Sequence, residues 1–120
     1  MNSLLLLLAA WHGATAPIPC RAHLELRQQD GFLTVIGHCT NLLPTTARYR
    51  YEMSLQRESS GGRSQNTQRG EFEVAPAQEV SLSQTRVNAS AQDTYRVYLR
   101  VLDLAGHTVA QDSAVQTPTR

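Results

Sequence analysis

Lysine is absent from this 120-residue chain, and cysteine, phenylalanine and tryptophan are nearly so, with two, two and one copies. All eleven basic residues are therefore arginine, and every fixed positive group is a planar, multi-donor fork. Charged residues make up 18% of the chain and the formal net charge is +1. That leaves no global field of the kind that gathers nucleic acid or an anionic membrane, so any electrostatic function has to be local. The sequence holds no G-x-S-x-G, no phosphate loop, no H-E-x-x-H and no C-x-x-C. These gaps remove the parts from which hydrolases, nucleotide enzymes, zinc proteases and thiol redox enzymes are built. No catalytic residue, cofactor, metal or small-molecule substrate is expected. His23 and His38 can approach one another across a hairpin, but two imidazoles lack the third and fourth ligands of a zinc site.

Long apolar runs are missing too. The longest, Leu4 to Trp11, is eight residues, far short of the ~20 that span a bilayer, and it resembles the apolar stretch of a secretory signal. Residues 1–16 are read as a signal peptide, with Ala14-Thr15-Ala16 as the small-x-small site, and export to the periplasm follows. Pro19 before Cys20 breaks the lipoprotein pattern. About 100 residues remain, the size of one small domain, placed at 17–115 with a disordered tail over 116–120.

What is present is alternation. In RYRYEMSLQR, residues 48–57, Tyr49, Tyr51, Met53 and Leu55 share one side while Arg48, Arg50, Glu52, Ser54 and Gln56 share the other, the mark of a half-buried strand. CRAHLELR and FLTVIGHC repeat the pattern, and TYRVYLRVLD sets Tyr95, Val97, Leu99 and Val101 against Arg96, Tyr98, Arg100 and Leu102. RSQNTQRGEFEV, polar on both sides in its first part, reads as an edge strand or loop. Seven such segments at spacings of about 8 to 12 residues predict an all-β, immunoglobulin-like sandwich of seven antiparallel strands.

Two expectations follow. A hairpin turning at Gln28-Gln29-Asp30-Gly31 pairs Leu26 with Leu33, Leu24 with Val35, Ala22 with Gly37 and Cys20 with Cys39, which predicts a disulfide between Cys20 and Cys39. Such a bond would add about 3 kcal/mol on the chain-entropy account. Two buried free thiols are the alternative. Second, Arg48 and Arg50 on the third strand and Arg96 and Arg100 on the sixth fall on one outer sheet face around Tyr98, opposed by Glu52 alone. This patch reads either as a solvated strand face or as a docking face for an extended polypeptide.

RYRYEMSLQRESSGGRSQNTQ, VSLSQTRVNASAQDTYRVYLRVLDLAGHTVAQDS and the preceding PIPCRAHLELR resemble the curli-assembly family called CsgC in enteric bacteria and CsgH in alphaproteobacteria, closer to the CsgH branch. The resemblance covers residues 18 to 113. It implies a small monomeric periplasmic protein of a Gram-negative bacterium, not an enzyme, that binds curlin-type amyloid subunits transiently while they are unfolded or early β-rich and prevents premature polymerisation. The client-binding residues it implies are Arg48, Arg50, Arg96 and Arg100, with Tyr98 among them. Ala47-Arg48-Tyr49 stands where the enteric branch has C-x-C, so a redox role tied to that motif does not carry over. A structural fimbrial subunit and a thiol-disulfide oxidoreductase are the alternative functions.

Overall fold

The computed structural model describes residues 18–118; the expected signal segment, residues 1–16, lies outside them. Strict alternation decides the architecture. On the second strand Leu33, Val35, Gly37, Cys39 and Asn41 are buried while every intervening residue is partly exposed, because successive Cβ atoms leave a strand on opposite faces. The strands are β1 (Cys20–Gln29), β2 (Phe32–Asn41), β3 (Ala47–Ser59), β4 (Gly62–Val74), β5 (Glu79–Asn88), β6 (Thr94–Leu102) and β7 (Thr108–Gln116). They form two antiparallel sheets, β1-β2-β5 and β4-β3-β6-β7, with no helix among the described residues. The expected sandwich is thus the fold of the chain. β4 is a continuous edge strand rather than a loop, and β7 runs to Gln116, one residue past the expected boundary.

Inward side chains of both sheets meet in two adjoining clusters. One is built on Leu33, Val35, Met53, Tyr95 and Leu99, the other on Cys20, Cys39, Tyr49, Val74 and Val101; each large apolar side chain removed from water contributes roughly 1.5–3 kcal/mol. Gly37 packs tightly against Met53 and Leu99 of the facing sheet. A Cβ there would stand 3.2 Å from Met53 Sδ and 3.4 Å from both Leu99 methyls. Tyr95, at the start of β6, is buried, and its hydroxyl donates to the Asn88 carbonyl at 2.9 Å and accepts from the Ser90 N–H at 3.0 Å. That hydroxyl ties the β5–β6 corner to the core in the manner of the tyrosine corner of immunoglobulin-like sandwiches.

The first hairpin corrects the expected register. Asp30 and Gly31 have φ of 54° and 78°, a two-residue turn of the kind Asp-Gly favours, so Gln28 and Gln29 extend β1 and Gln29 pairs with Phe32. Every pair moves by two residues: Leu26 faces Val35, Leu24 faces Gly37, Ala22 faces Cys39 and Cys20 faces Asn41. The cysteines become diagonal neighbours and are free thiols rather than the predicted disulfide. They touch nonetheless; the hydrogen bond to Cys20, together with burial, pushes the Cys39 thiol far above the ordinary cysteine range.

The two open sides of the sandwich close differently. On one, Asp112 of β7 accepts the Leu24 N–H of edge strand β1 at 2.8 Å. On the other, Gln68 of β4 donates to the Thr85 hydroxyl of β5 at 2.5 Å.

Candidate functional site

Antiparallel pairing writes the outer face of the four-stranded sheet as a set of cross-strand rows. Between β3 and β4, Arg48 lies opposite Glu73, Arg50 opposite Glu71, Glu52 opposite Arg69 and Glu58 opposite Arg63. Between β3 and β6, Glu52 faces Arg100, Ser54 faces Tyr98 and Gln56 faces Arg96. The structure does bring Arg48, Arg50, Arg96, Tyr98 and Arg100 onto one face. It does not leave the arginines opposed by Glu52 alone.

Each of the four expected arginines has a carboxylate beside it. Arg48 Nη2 and Arg50 Nε lie 3.7 and 3.9 Å from the two oxygens of Glu71. Arg96 Nε is 3.3 Å from Glu58, and Arg100 Nη2 is 3.0 Å from Glu52. Glu52 also receives Arg69 Nε at 2.8 Å, so one carboxylate joins β4, β3 and β6. The Arg69 and Arg100 guanidinium groups hold its carboxyl below the usual glutamate range. Six arginines (48, 50, 63, 69, 96, 100) thus share the face with four glutamates (52, 58, 71, 73). The surplus is positive and modest, and every arginine side chain in these pairs remains at least two-fifths exposed.

Tyr98 stands 44% exposed. Its cross-strand neighbours are small, Ser54 on β3 and Ser113 on β7, so the ring forms one wall of an open depression of about 730 Å³ that also takes in Glu52, Arg100, Gln111 and Asp112. Exposed ion pairs of this type contribute only ~0.2–1 kcal/mol each, which makes them easy to exchange for a partner's carboxylates. A half-exposed aromatic between hydroxyls and guanidinium groups can stack on a planar side chain or lie along an extended backbone.

Reading the sequence missed Arg69 and Glu71, which complete the charged rows. GEFEV yielded only Phe72 and Val74 as core residues there; the alternation that buries them sends Glu71 and Glu73 outward, and that signal was available. Ser54 and Ser113 could be paired with Tyr98 only once both registers were fixed. On the other sheet, His23 and His38 stack with ring centroids 5.9 Å apart. His38 is held between Glu25 at 2.9 Å and Glu79 at 3.2 Å with 14% of its side chain exposed, so it is part of a local network rather than a free imidazole. Among the described residues no cluster of histidine, cysteine and acidic side chains has the arrangement of a metal site. The cysteines are fully buried, whereas reactive cysteines sit in partly exposed surroundings.

No family model matches the chain, and no curated protein matches it in sequence. Solved structures do match. The E. coli curli protein CsgC superposes with a TM-score of 0.64 at 22% identity, over 78% of this chain and 96% of its own. R. palustris CsgH superposes with a TM-score of 0.61 at 18% identity, over 82% of this chain and 92% of its own. The chain has the fold of CsgC and CsgH. The resemblance read from the sequence thus extends to the three-dimensional structure, and it takes in nearly the whole length of both curli proteins. A Bacteroides uniformis β-glucuronidase also contains such a sandwich, with a TM-score of 0.55 at 12% identity, over 82% of this chain but 14% of the enzyme. The same layers therefore serve as a minor part of a large hydrolase, and function has to be argued from the surface.

Proposed function

We propose that this chain is a CsgC/CsgH-type accessory protein of curli assembly that acts in the periplasm of a Gram-negative bacterium as a monomeric, non-enzymatic inhibitor. It binds curlin-type subunits transiently while they are unfolded or early β-rich and delays their polymerisation. The observation that carries this reading is the outer face of β4-β3-β6-β7: exposed guanidinium groups in exchangeable ion pairs around the half-exposed Tyr98.

The chemistry suits a client without fixed structure. Client carboxylates displace Glu71, Glu58 or Glu52 from the arginines at little cost, since each exposed pair is worth ~0.2–1 kcal/mol. Tyr98 and its flanking serines hold backbone or a planar side chain in the depression. A bound segment is withheld from the in-register stacking that builds cross-β structure, and weak, exchangeable contacts release it again. The fit to CsgC and CsgH supports the same reading, and full burial of both thiols supports no thiol-exchange role.

The test is the thioflavin-T lag time of a purified curlin subunit with substoichiometric protein. Wild type lengthens the lag. A variant carrying Arg48→Gln, Arg50→Gln, Arg96→Gln and Arg100→Gln, shown by circular dichroism to be folded, loses most of that effect, and so in smaller measure does Tyr98→Ala. Glutamine is chosen because glutamate would face Glu71, Glu58 and Glu52 and add repulsion within the sheet. A folded four-glutamine variant that delays polymerisation as well as wild type overturns the reading and leaves the arginines as a solvated strand face.

A further inference from the structure

The β3–β4 hairpin leaves one rim of the larger sheet unguarded. Its two-residue turn makes Ser59 and Gly62 the first pair, so the backbone groups of Gly62, Ser64, Asn66 and Gln68 point toward β3. Those of Arg63, Gln65, Thr67 and Arg69 point away from it. β4 is the last strand of its sheet. The opposite rim is covered, since β1 and β7 lie against each other and Asp112 takes the Leu24 N–H. On the β4 side the sheets are tied at Gln68 and Thr85, but Gly62 to Asn66 are all exposed. There the sheets part in an open cleft of about 220 Å³ whose walls include Leu55, Asn66, Val87 and Tyr95.

Natural edge strands are usually guarded by charge, proline or a bulge. From Gly61 to Gln68 this rim carries one charge, Arg63, and no proline, and its pairing with β3 runs without a register break. Its side chains are Ser64, Gln65, Asn66, Thr67 and Gln68, amide or hydroxyl on both faces. Such side chains pair with their own kind in the ladders that stacked polar strands form, whereas an apolar strand would leave them unpaired.

We propose that the open rim of β4, centred on Gln65 and Thr67, takes an uncharged segment rich in glutamine, asparagine and serine from the amyloid-forming client as an added β-strand. This rests on the reading that the protein binds amyloid-forming polypeptides, and it assigns the strand-pairing contact to a rim separate from the Tyr98 depression. A second copy of the chain is a poorer occupant. The register that stacks the amide tract on itself, centred on Asn66, sets Arg63 against Arg69 at both ends, and like charges directly opposed are destabilising.

The test is amide hydrogen exchange of the folded protein, read by NMR, with a synthetic uncharged peptide of about twelve residues built from Gln, Asn, Ser and Val. At saturating peptide, exchange at Arg63, Gln65, Thr67 and Arg69 slows by roughly tenfold or more, while Ser64, Asn66 and Gln68, already bonded to β3, change by less than about twofold. The double variant Gln65→Pro with Thr67→Pro, which removes two outward donors at positions where an edge strand tolerates proline, abolishes that protection and shortens the curlin lag. Absence of the alternation, protection confined to residues around Tyr98, or protection that appears without peptide and grows with protein concentration overturns the proposal, the last in favour of a second copy. If the folded double-proline variant still delays curlin while the four-glutamine variant does not, the rim is excluded and the arginine face stands. If alternating protection appears but wild type never delays curlin, the proposed function falls and the rim remains a strand-binding edge.

Discussion

Replacing Gly37 with alanine tests whether its tight packing against Met53 and Leu99 of the facing sheet limits the stability of the fold. The added Cβ would lie 3.2 Å from Met53 Sδ and 3.4 Å from Leu99 Cδ1 and Cδ2, each closer than the ~3.5–4.0 Å of an optimal nonbonded contact. Neither neighbour can swing out into solvent, since Met53 is 2% and Leu99 0% exposed. Overpacking of this kind costs about 1–3 kcal/mol. Glycine's conformational penalty in a strand, about 0.5–1 kcal/mol, offsets part of that, leaving a net loss of about 0.5–2 kcal/mol. For a domain of about 100 residues the melting temperature should fall by roughly 2–15 °C. The assay is thermal and urea unfolding followed by circular dichroism. Leu99→Val, which withdraws material from the contact, should restore part of the loss, giving a coupling of at least ~0.5 kcal/mol in the double-mutant cycle. Gly31→Ala serves as comparator: nothing lies within 4 Å of its added Cβ, but its φ is +78°, so it should lose about 1 kcal/mol with no coupling to Leu99. A Gly37→Ala protein as stable as wild type, or strictly additive with Leu99→Val, would refute the packing argument.

Three further outcomes are expected. Tyr95→Phe, which orphans the Asn88 carbonyl and the Ser90 N–H, should cost about 1–3 kcal/mol in urea unfolding; a loss below a few tenths would mean water satisfies both groups. Glu52 has a folded-state pKa below its ordinary 4.5 through Arg69 and then Arg100, so its stabilisation is complete above that ordinary value and is lost as pH falls through the depressed one. Wild type and Glu52→Gln should therefore differ by ~0.5–1 kcal/mol at neutral pH and converge in acid, and a constant difference across the acid range would contradict the assignment. The buried thiols should resist Ellman's reagent in the folded protein and titrate as two groups after denaturation; fewer than two would restore a Cys20–Cys39 bond.

The layers of the fold were legible because alternation is a local property. The side chains at 49, 53 and 55, or at 95, 97, 99 and 101, declare their inward side without knowledge of a partner strand, and all seven are buried. Register was less legible, because it depends on where a turn closes. Counting four residues into the turn before Phe32, where Asp30 and Gly31 suffice, moved every β1 partner by two positions and set the cysteines opposite one another. The site was half legible for a related reason. Arg48, Arg50, Arg96 and Arg100 could be assigned to one face from parity alone, but their neutralising partners Glu71 and Glu58 emerge only from the registers of β4 and β6 against β3. A polar strand with two core residues gives no local sign of what it will lie beside. Tyr95 was placed inside correctly, while its role at the corner depended on a carbonyl at the end of β5, seven residues upstream.

The hydrogen bond from the Leu24 N–H to Asp112 spans 88 positions of the chain, and it carries a consequence for how the protein acquires its shape. A chain synthesised from its N-terminus delivers β1 early and β7 last. Until β7 arrives, β1 has backbone donors with no neighbour on its outer side, the same hazard that folded edge strands are shaped to avoid. Contacts of such long sequence separation also form late and slowly, placing all-β sandwiches in the millisecond-to-second range of folding times. During that interval the protein is itself a chain with an exposed strand edge, competent to join the kind of aggregate its folded form is proposed to restrain. Arrival of Asp112 at the Leu24 N–H ends that exposure, so truncation before residue 112 should yield a product that aggregates during refolding, even with the six preceding strands intact.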